Sequence, residues 1–98
     1  MESRGNNPLY TPGGHDKYSS TLHWGVNWDQ NKYDKTHAEH ASTTGSLADG
    51  FHIYGLYWDE NGLYTYIDDE SQKVLEVDFT KQSFFDFDEF GEGTFNPW

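Results

Sequence analysis

The chain has 98 residues, with six Lys and Arg against 17 Asp and Glu, a formal net charge of −11 and no cysteine. A chain this acidic lacks the basic footprint that nucleic acids and anionic membranes require, so neither is expected as a partner. The missing cysteines exclude disulfides and thiolate metal sites, and the length allows one small domain with a modest core.

Aromatic residues make up 18% of the chain, against a total hydrophobic content of 34%. Such a composition is typical of chains with many short strands that build sandwiches and barrels. The rings can fill a β core, which is the commoner role for any single ring, or they can stack on the C–H faces of sugars. The composition therefore leaves a carbohydrate-binding role open.

The first half of the chain gives weak signals. Residues 1–4 are ambiguous, and residues 5–16 hold Gly, Pro and Asn at the density of a loop. Residues 19–24 (SSTLHW) have the Thr, Leu and Trp of a strand. Residues 25–45 are polar and show no stable period, and a segment of that length inside a compact domain often lies at a binding site.

Two histidines in that segment, His37 and His40, are three residues apart with Glu39 between them. On a helix this spacing would place both imidazoles on one face as a metal pair. Ala38 and Ala41 give no helical apolar stripe, however, so solvated loop histidines are the preferred interpretation. We expect neither a metal nor any other cofactor.

Residues 50–79 give the strongest signal and predict a three-stranded meander. Residues 51–58 are rich in aromatic and β-branched residues, and the DENG sequence at 59–62 predicts a tight hairpin turn before a return strand at 63–67. After a polar turn, residues 74–79 alternate apolar and acidic side chains and form the third strand.

The first strand of the meander carries apolar residues on both faces. We therefore expect it to be covered on each side or to line a cleft. Residues 80–93 are acidic and Phe-rich, and predict a strand edge, a loop or one short helical turn. With about five or six strands, the sheet edges would stay open, which suggests an incomplete all-β domain. The chain shows neither an apolar run of membrane-spanning length nor a signal peptide.

Three strings in this order resemble glycoside hydrolase family 16: MESRGN at 1–6, STLHWG at 20–25 and DGFHIYGLYW at 49–58. The animal-type β-1,3-glucanases (laminarinases) and β-1,3-glucan-recognition proteins are the nearest in pattern. The resemblance covers nearly the whole chain and implies an all-β jelly-roll (concanavalin-like) sandwich of antiparallel strands with glucan in its concave cleft. Residues 1–98 would then be a central fragment of one such domain, incomplete at both ends, from an extracellular parent.

The family's active strand reads Glu-x-Asp-x-x-Glu-Ser, and Glu2 falls on the last Glu, the general acid/base. The nucleophile Glu and the assisting Asp would precede Met1. Retaining glycosidases need two carboxyl groups about 5–5.5 Å apart, one as nucleophile and one as acid/base. We therefore expect the chain to be inactive by itself.

The resemblance also implies substrate-binding residues. His23 and Trp24 match positions that line the cleft near the scissile bond, with Trp24 as a sugar platform. Arg4 and Asn6 follow the acid/base, where bracing the loop is the alternative role.

Two further rings, Trp28 and Trp98, are either stacking surfaces for sugar or core residues. The resemblance gives neither of them a matched position, so both alternatives stay open.

Two functions fit the resemblance. One is a fragment of a retaining endo-β-1,3-glucanase that hydrolyses O-glycosidic bonds, and the other is a fragment of a non-catalytic β-1,3-glucan recognition protein. Glu2 favours the enzyme, because recognition proteins commonly lack the acidic residues. Both imply a β-glucan polysaccharide or oligosaccharide as partner, and residues encoded upstream of Met1 would discriminate between them.

Overall fold

The computed structural model describes residues 1–87, which form two antiparallel three-stranded sheets. The all-β prediction is confirmed. Sheet A has the order β1 (Glu2–Ser3), β2 (Lys17–Thr21), β3 (His37–Ala41), and sheet B has the order β4 (Tyr54–Trp58), β5 (Gly62–Ile67), β6 (Lys73–Asp78). The helices within residues 1–87 are four single turns: the 3-10 helices Trp28–Gln30, Tyr33–Thr36 and Leu47–Asp49, and the α-helix α1 (Phe84–Phe87).

None of the helices in residues 1–87 is long and apolar enough to cross a membrane. Helix α1 agrees with one of the three alternatives given for residues 80–93, a short helical turn.

Sheet B follows the predicted meander closely. In the turn between β4 and β5, the carboxylate of Asp59 accepts hydrogen bonds from the backbone N–H groups of Asn61 and Gly62, at 2.8 and 3.1 Å. Strand β4 begins three residues later than predicted. Asp68 has a left-handed φ of 62°, and its carboxylate accepts from the N–H of Ile53 at 3.0 Å, so the regular ladder stops there.

Sheet A departs from the sequence prediction in two places. Strand β2 begins at Lys17 and ends at Thr21, whereas a strand was predicted over 19–24. Strand β3 lies inside the segment for which no regular element was predicted, so the interpretation of His37 and His40 as loop histidines is wrong. The sequence HAEHA does alternate, with its second and fourth side chains half-buried, but alanine gives too weak an apolar signal to reveal it.

The two sheets pack face to face, with β6 against β2 and β3. The inner face of sheet A contributes Tyr18, which is 2% exposed and meets Tyr54 of sheet B edge-on at 5.1 Å between ring centroids. Strand β5 contributes Leu63, Thr65 and Ile67, whose alternation with Tyr64 and Tyr66 matches the pleat.

Of the two alternatives for β4, covering on both faces is wrong for residues 1–87, whereas lining a cleft stays a prediction. On the inner face, Leu56 and Trp58 remain 54% and 72% exposed. Strand β4 pairs only with β5 among the described strands and so forms the edge of sheet B, where Tyr54 contacts Tyr18 of sheet A.

Candidate functional site

The outer face of sheet A carries most of the chain's predicted chemistry. Glu2, Ser19 and Glu39 are register partners on β1, β2 and β3, so their side chains point to the same side of the sheet. Thr21 and His37 form the next row. We call this surface the polar face, and its members are Glu2, Lys17, Ser19, Thr21, His37 and Glu39.

Cationic side chains surround Glu39 on this face. Arg4, just after β1, reaches across β2 to place a guanidinium nitrogen 3.6 Å from the Glu39 carboxylate, and it also donates to the carbonyl of Pro12 at 3.0 Å. The Lys17 ammonium lies 4.0 Å from the same carboxylate. Exposed ion pairs of this kind stabilise a fold by about 1 kcal/mol or less, so their main effect is to orient the side chains.

A second polar contact joins the next row. The Thr21 hydroxyl and Nδ1 of His37 are 2.7 Å apart, and Nε2 of His37 lies 3.9 Å from Glu39. The imidazole is thereby held in one orientation at the edge of sheet A. A contiguous strip of hydroxyl, imidazole and carboxylate groups results, about 14 Å long from Lys17 to Thr21 at the rise of a β-strand.

Glu2 is exposed on the same face. Glu39 is the other carboxylate in its cross-strand row, two strand spacings away, which amounts to roughly 10 Å. A retaining glycosidase needs its two carboxyl groups about 5–5.5 Å apart. The backbones of the two residues are therefore farther apart than the carboxyl pair of a retaining glycosidase.

His23 and Trp28 lie in the connection that leaves the Thr21 end of β2. The exposed ring of His23 packs 5.7 Å from Tyr33, and its Nδ1 is 2.9 Å from the amide nitrogen of Asn31. Trp28 begins a 3-10 helix that Asn27 caps, and its side chain is 85% exposed. Both rings are accessible to a ligand.

Trp24 occupies a different environment from the one expected of a sugar platform. It is only 8% exposed, and its ring stacks on Phe84 and Phe87 at 4.7 and 5.7 Å between centroids. Its indole N–H donates to the Thr36 hydroxyl at 2.8 Å, which in turn donates to the carbonyl of Leu22 at 3.1 Å. The structure thus places Trp24 in the packing between β2 and α1.

Gly25 allows this arrangement, because the chain folds back on itself immediately after Trp24. Gly25 has φ +149°, and a Cβ at this position would collide with the carbonyl oxygen of Gln30. Lys32 then donates its N–H to the carbonyl of Trp24 at 2.8 Å. The Gly of the TLHWG string is therefore required by the backbone.

Asn6 lies away from the polar face and braces a loop. Its side-chain oxygen accepts from the Ser46 hydroxyl at 2.9 Å, and Ser46 caps the 3-10 helix Leu47–Asp49. Trp98 lies outside the described residues.

The structure places Glu2 and Arg4 on the polar face, and His23 and Trp28 on the connection that follows β2. Sequence reasoning missed Lys17, Thr21, His37 and Glu39 as members of this surface. The signal that could have found the last two is the alternation of HAEHA.

Comparison with known proteins gives one curated relative of note. The chain is 44% identical over 99 aligned positions to a β-1,3-glucan-binding protein of Penaeus monodon. The match covers all of this chain and 26% of the relative, so the chain spans about a quarter of that protein's length. No family model matches the chain, and no solved structure matches it.

Proposed function

We propose that this chain contributes a β-1,3-glucan-binding surface to a secreted protein, and that the polysaccharide lies across the polar face. The observation that carries the proposal is the row Glu2–Ser19–Glu39, in which Glu2 and Glu39 are exposed and Ser19 between them is buried. Arg4 and His37 lie beside Glu39 on the same face of sheet A. Similarity to a protein named for β-1,3-glucan binding supports the choice of ligand. The fold is proposed to be part of a family 16 jelly-roll sandwich.

The chemistry of the polar face suits a neutral polyol. Each sugar hydroxyl both donates and accepts hydrogen bonds, and the face offers carboxylate acceptors on Glu2 and Glu39 and donors on Arg4 and Lys17. Hydrogen bonds to charged groups are the stronger kind, so each such contact orients a sugar effectively. The net charge of −11 disfavours polyanions at the same surface.

Aromatic surface is available on the connection that follows β2. The exposed ring of Trp28 is the stacking surface that we assign to the glucan, with His23 between it and Thr21 along the chain. Rigid rings add contact area at low entropic cost because they have few rotatable bonds.

The binding proposal is tested by titrating the 15N-labelled chain with laminarihexaose, a β-1,3-linked hexasaccharide. We expect the amide signals of Ser19, Thr21 and Glu39 to shift, and the Glu39→Gln variant to bind more weakly. Asp34→Asn is the control, because it removes one exposed carboxylate that lies on the 3-10 helix Tyr33–Thr36, outside the strands of the polar face and outside sheet B. Unchanged signals across sheet A on saturation with the hexasaccharide would rule out this site.

A second function, catalysis, is favoured by one observation: Glu2 is an exposed carboxylate on a strand, within the ESRGN string. We propose that Glu2 is the general acid/base of a retaining β-1,3-glucanase wherever an upstream Glu-x-Asp supplies the nucleophile. The 98-residue chain should not hydrolyse laminarin, because none of its residues matches the nucleophile Glu of the family's motif. Release of reducing ends that scales with protein and is lost in Glu2→Gln would contradict this.

The role of Glu2 is separable from nucleophilic attack in the longer protein. With an activated β-glucoside, Glu2→Ala should still form the glycosyl-enzyme but stall in its hydrolysis, because no general base remains. Azide needs no base, so it should restore turnover and give a β-glucosyl azide. An α-azide, identified by NMR, would show instead that Glu2 is the nucleophile.

A further inference from the structure

The outer face of sheet B carries three tyrosines on two neighbouring strands. Tyr57 of β4 and Tyr64 of β5 are register partners, and their rings stack at 4.9 Å between centroids with an interplanar angle of 9°. Tyr66 follows on β5, with its ring centroid 6.3 Å from that of Tyr64 and tilted by 47°. We call Tyr57, Tyr64 and Tyr66 the tyrosine face.

Gly55 determines how Tyr66 lies. It is the register partner of Tyr66, and a Cβ at Gly55 would collide with three atoms of the Tyr66 ring. The ring therefore lies over the backbone of β4, beside Tyr57, which is two residues along the same strand. The ring occupies the space above the glycine, and Tyr66 is half-buried.

Polar groups fix the rings from their edges. The Tyr57 hydroxyl donates to Asp59 at 3.0 Å, and the Tyr64 hydroxyl donates to Glu70 at 2.7 Å, a hydrogen bond that raises the pKa of Tyr64 to about 12. Lys73 places its ammonium 4.3 Å from the centre of the Tyr64 ring. Because these contacts exist without a ligand, little side-chain entropy is lost when one binds.

The tyrosine face also borders a depression of about 230 Å³ at the hairpin end of sheet B. Tyr57 and Tyr64 form its aromatic side, and its polar groups come from Asp59, Asn61, Glu76 and Asp78. Among residues 1–87, no group of three or more acidic, His or Cys side chains could hold a metal ion. The lining of the depression combines ring surface with hydrogen-bond acceptors, which suits a neutral ligand rich in hydroxyl groups.

We propose that the tyrosine face is a second β-1,3-glucan-binding surface, with sugar rings on Tyr57 and Tyr66 and sugar hydroxyls donating to Asp59 and Glu76. The choice of ligand rests on the proposed glucan recognition. Cross-strand tyrosine pairs also stabilise sheets, which accounts for the Tyr57–Tyr64 stack. Such pairing also accounts for Gly55, since a ring on the neighbouring strand can cover a glycine of an edge strand. It does not account for the acidic rim, which repels anionic partners.

The position of the second surface has a functional consequence. The inner faces of the two sheets pack on each other, so the polar face and the tyrosine face point in opposite directions. A short oligosaccharide can occupy only one of them, whereas a polysaccharide particle offers many strands. Two weak sites that both engage such a particle raise the total binding through avidity.

The test has two measurements on the 98-residue chain. The first is an NMR titration of the 15N-labelled chain with laminarihexaose, and the second is the retention of the chain on insoluble β-1,3-glucan (curdlan). We expect amide shifts at residues 55–57 and 64–66 in addition to those of sheet A. Tyr57→Ala and Tyr66→Ala should each weaken retention roughly two- to tenfold, the range set by one aromatic contact. Tyr57→Phe keeps the ring and should bind almost as the wild type does. Tyr10→Ala removes an equally exposed loop tyrosine as control.

Each outcome decides between the two surfaces. Shifts confined to sheet A, with unchanged curdlan retention in both alanine variants, would overturn the second surface and leave the proposed function intact. Shifts confined to sheet B would support the tyrosine face and overturn the polar face as the glucan site. No amide shift in either sheet would overturn both proposed surfaces. If circular dichroism shows that Tyr57→Ala is unfolded, the retention of Tyr66→Ala and Tyr57→Phe on curdlan decides the test. A loss of retention in Tyr57→Phe equal to that in Tyr66→Ala would contradict ring stacking.

Discussion

Sheets A and B have the same number of strands but very different connections. Residues 59–61 and 68–72 join the strands of sheet B, whereas residues 4–16 and 22–36 join those of sheet A. Short connections fix strand register through the geometry of the turn. Sheet A must instead obtain its register from contacts made by its long loops.

The long connection after β2 shows how this is done. The hydrogen-bonded series Trp24–Thr36–Leu22 closes it just before β3 begins, and Leu22 donates its N–H to the carbonyl of Thr36 at 3.1 Å. At the other end of β3, Ser42 donates to the carbonyl of Asp16 at 2.7 Å. Sheet A carries the proposed glucan site, and its structure is thus more sensitive than that of sheet B to substitutions far from the site.

The largest effect is expected from Trp24→Ala. It removes a buried ring and leaves the Thr36 hydroxyl without its donor, so the free energy of unfolding should fall by about 3–5 kcal/mol. Hydrogen exchange should increase in β2 and β3 before β5. Trp28→Ala removes an 85% exposed ring as the matched control and should change stability by less than about 0.5 kcal/mol. Equal losses in the two variants, measured by urea denaturation, would contradict the assignment of Trp24 to the core.

A moderate effect is expected in sheet B from Gly55→Ala. The new methyl group must displace the Tyr66 ring, an overpacking cost of about 1–3 kcal/mol. The ring signals of Tyr66 should move, while sheet A keeps its hydrogen-exchange protection. Gly50→Ala is the control, since a Cβ there meets no atom within 4 Å. An undisturbed Tyr66 in Gly55→Ala would show that the ring does not lie over β4.

A smaller effect is expected at the contact between the sheets. The hydroxyl of Tyr18 is buried without a hydrogen-bond partner among residues 1–87, so Tyr18→Phe should change stability by no more than about 1 kcal/mol at pH 7. Burial, with charge repulsion from Tyr54 and Asp68, raises the pKa of Tyr18 from 10.0 to about 12.

That shift has a pH signature. Between pH 10 and 12 the folded chain retains a proton at Tyr18 that the unfolded chain has lost, so stability should fall as the pH rises through this window. Tyr18→Phe should flatten the decline. Denaturation midpoints at pH 9, 10 and 11 test this, and an equally steep decline in the variant would assign the effect to other groups.

The smallest effect on stability is expected from Arg4→Ala. The Arg4–Glu39 pair is exposed, so its loss should cost about 0.2–1 kcal/mol. The loss of laminarihexaose affinity in this variant should be larger, relative to the wild-type affinity, than the loss of stability is relative to the wild-type stability, because Glu39 loses its orientation. Arg4→Lys should keep the charge but lose the second contact, to Pro12, and bind at an intermediate level. If all three proteins bind equally, Arg4 has no role at the polar face.

The sequence predicted sheet B better than sheet A for a local reason. The DENG turn and the alternation in β5 and β6 are encoded within a few residues, and the structure follows them to within one residue at each strand end. In β3, the side chains that point inward are Ala38 and His40, and neither is apolar and large enough to predict a buried face from the sequence. Trp24 shows the same limit, because nothing near it in the chain indicates that Phe84 and Phe87 cover it.

The sequence by itself determined the all-β class, the meander of sheet B, and the acidic, aromatic character that favours a neutral ligand. These depend on composition and on side-chain period, which do not require knowledge of distant contacts. Only the tertiary structure decided that Glu2, Arg4, His37 and Glu39 share one face, since that depends on how two long connections return the chain. It also decided which aromatic rings are covered and which face solvent, because burial is a property of the packed sheets and not of any single strand.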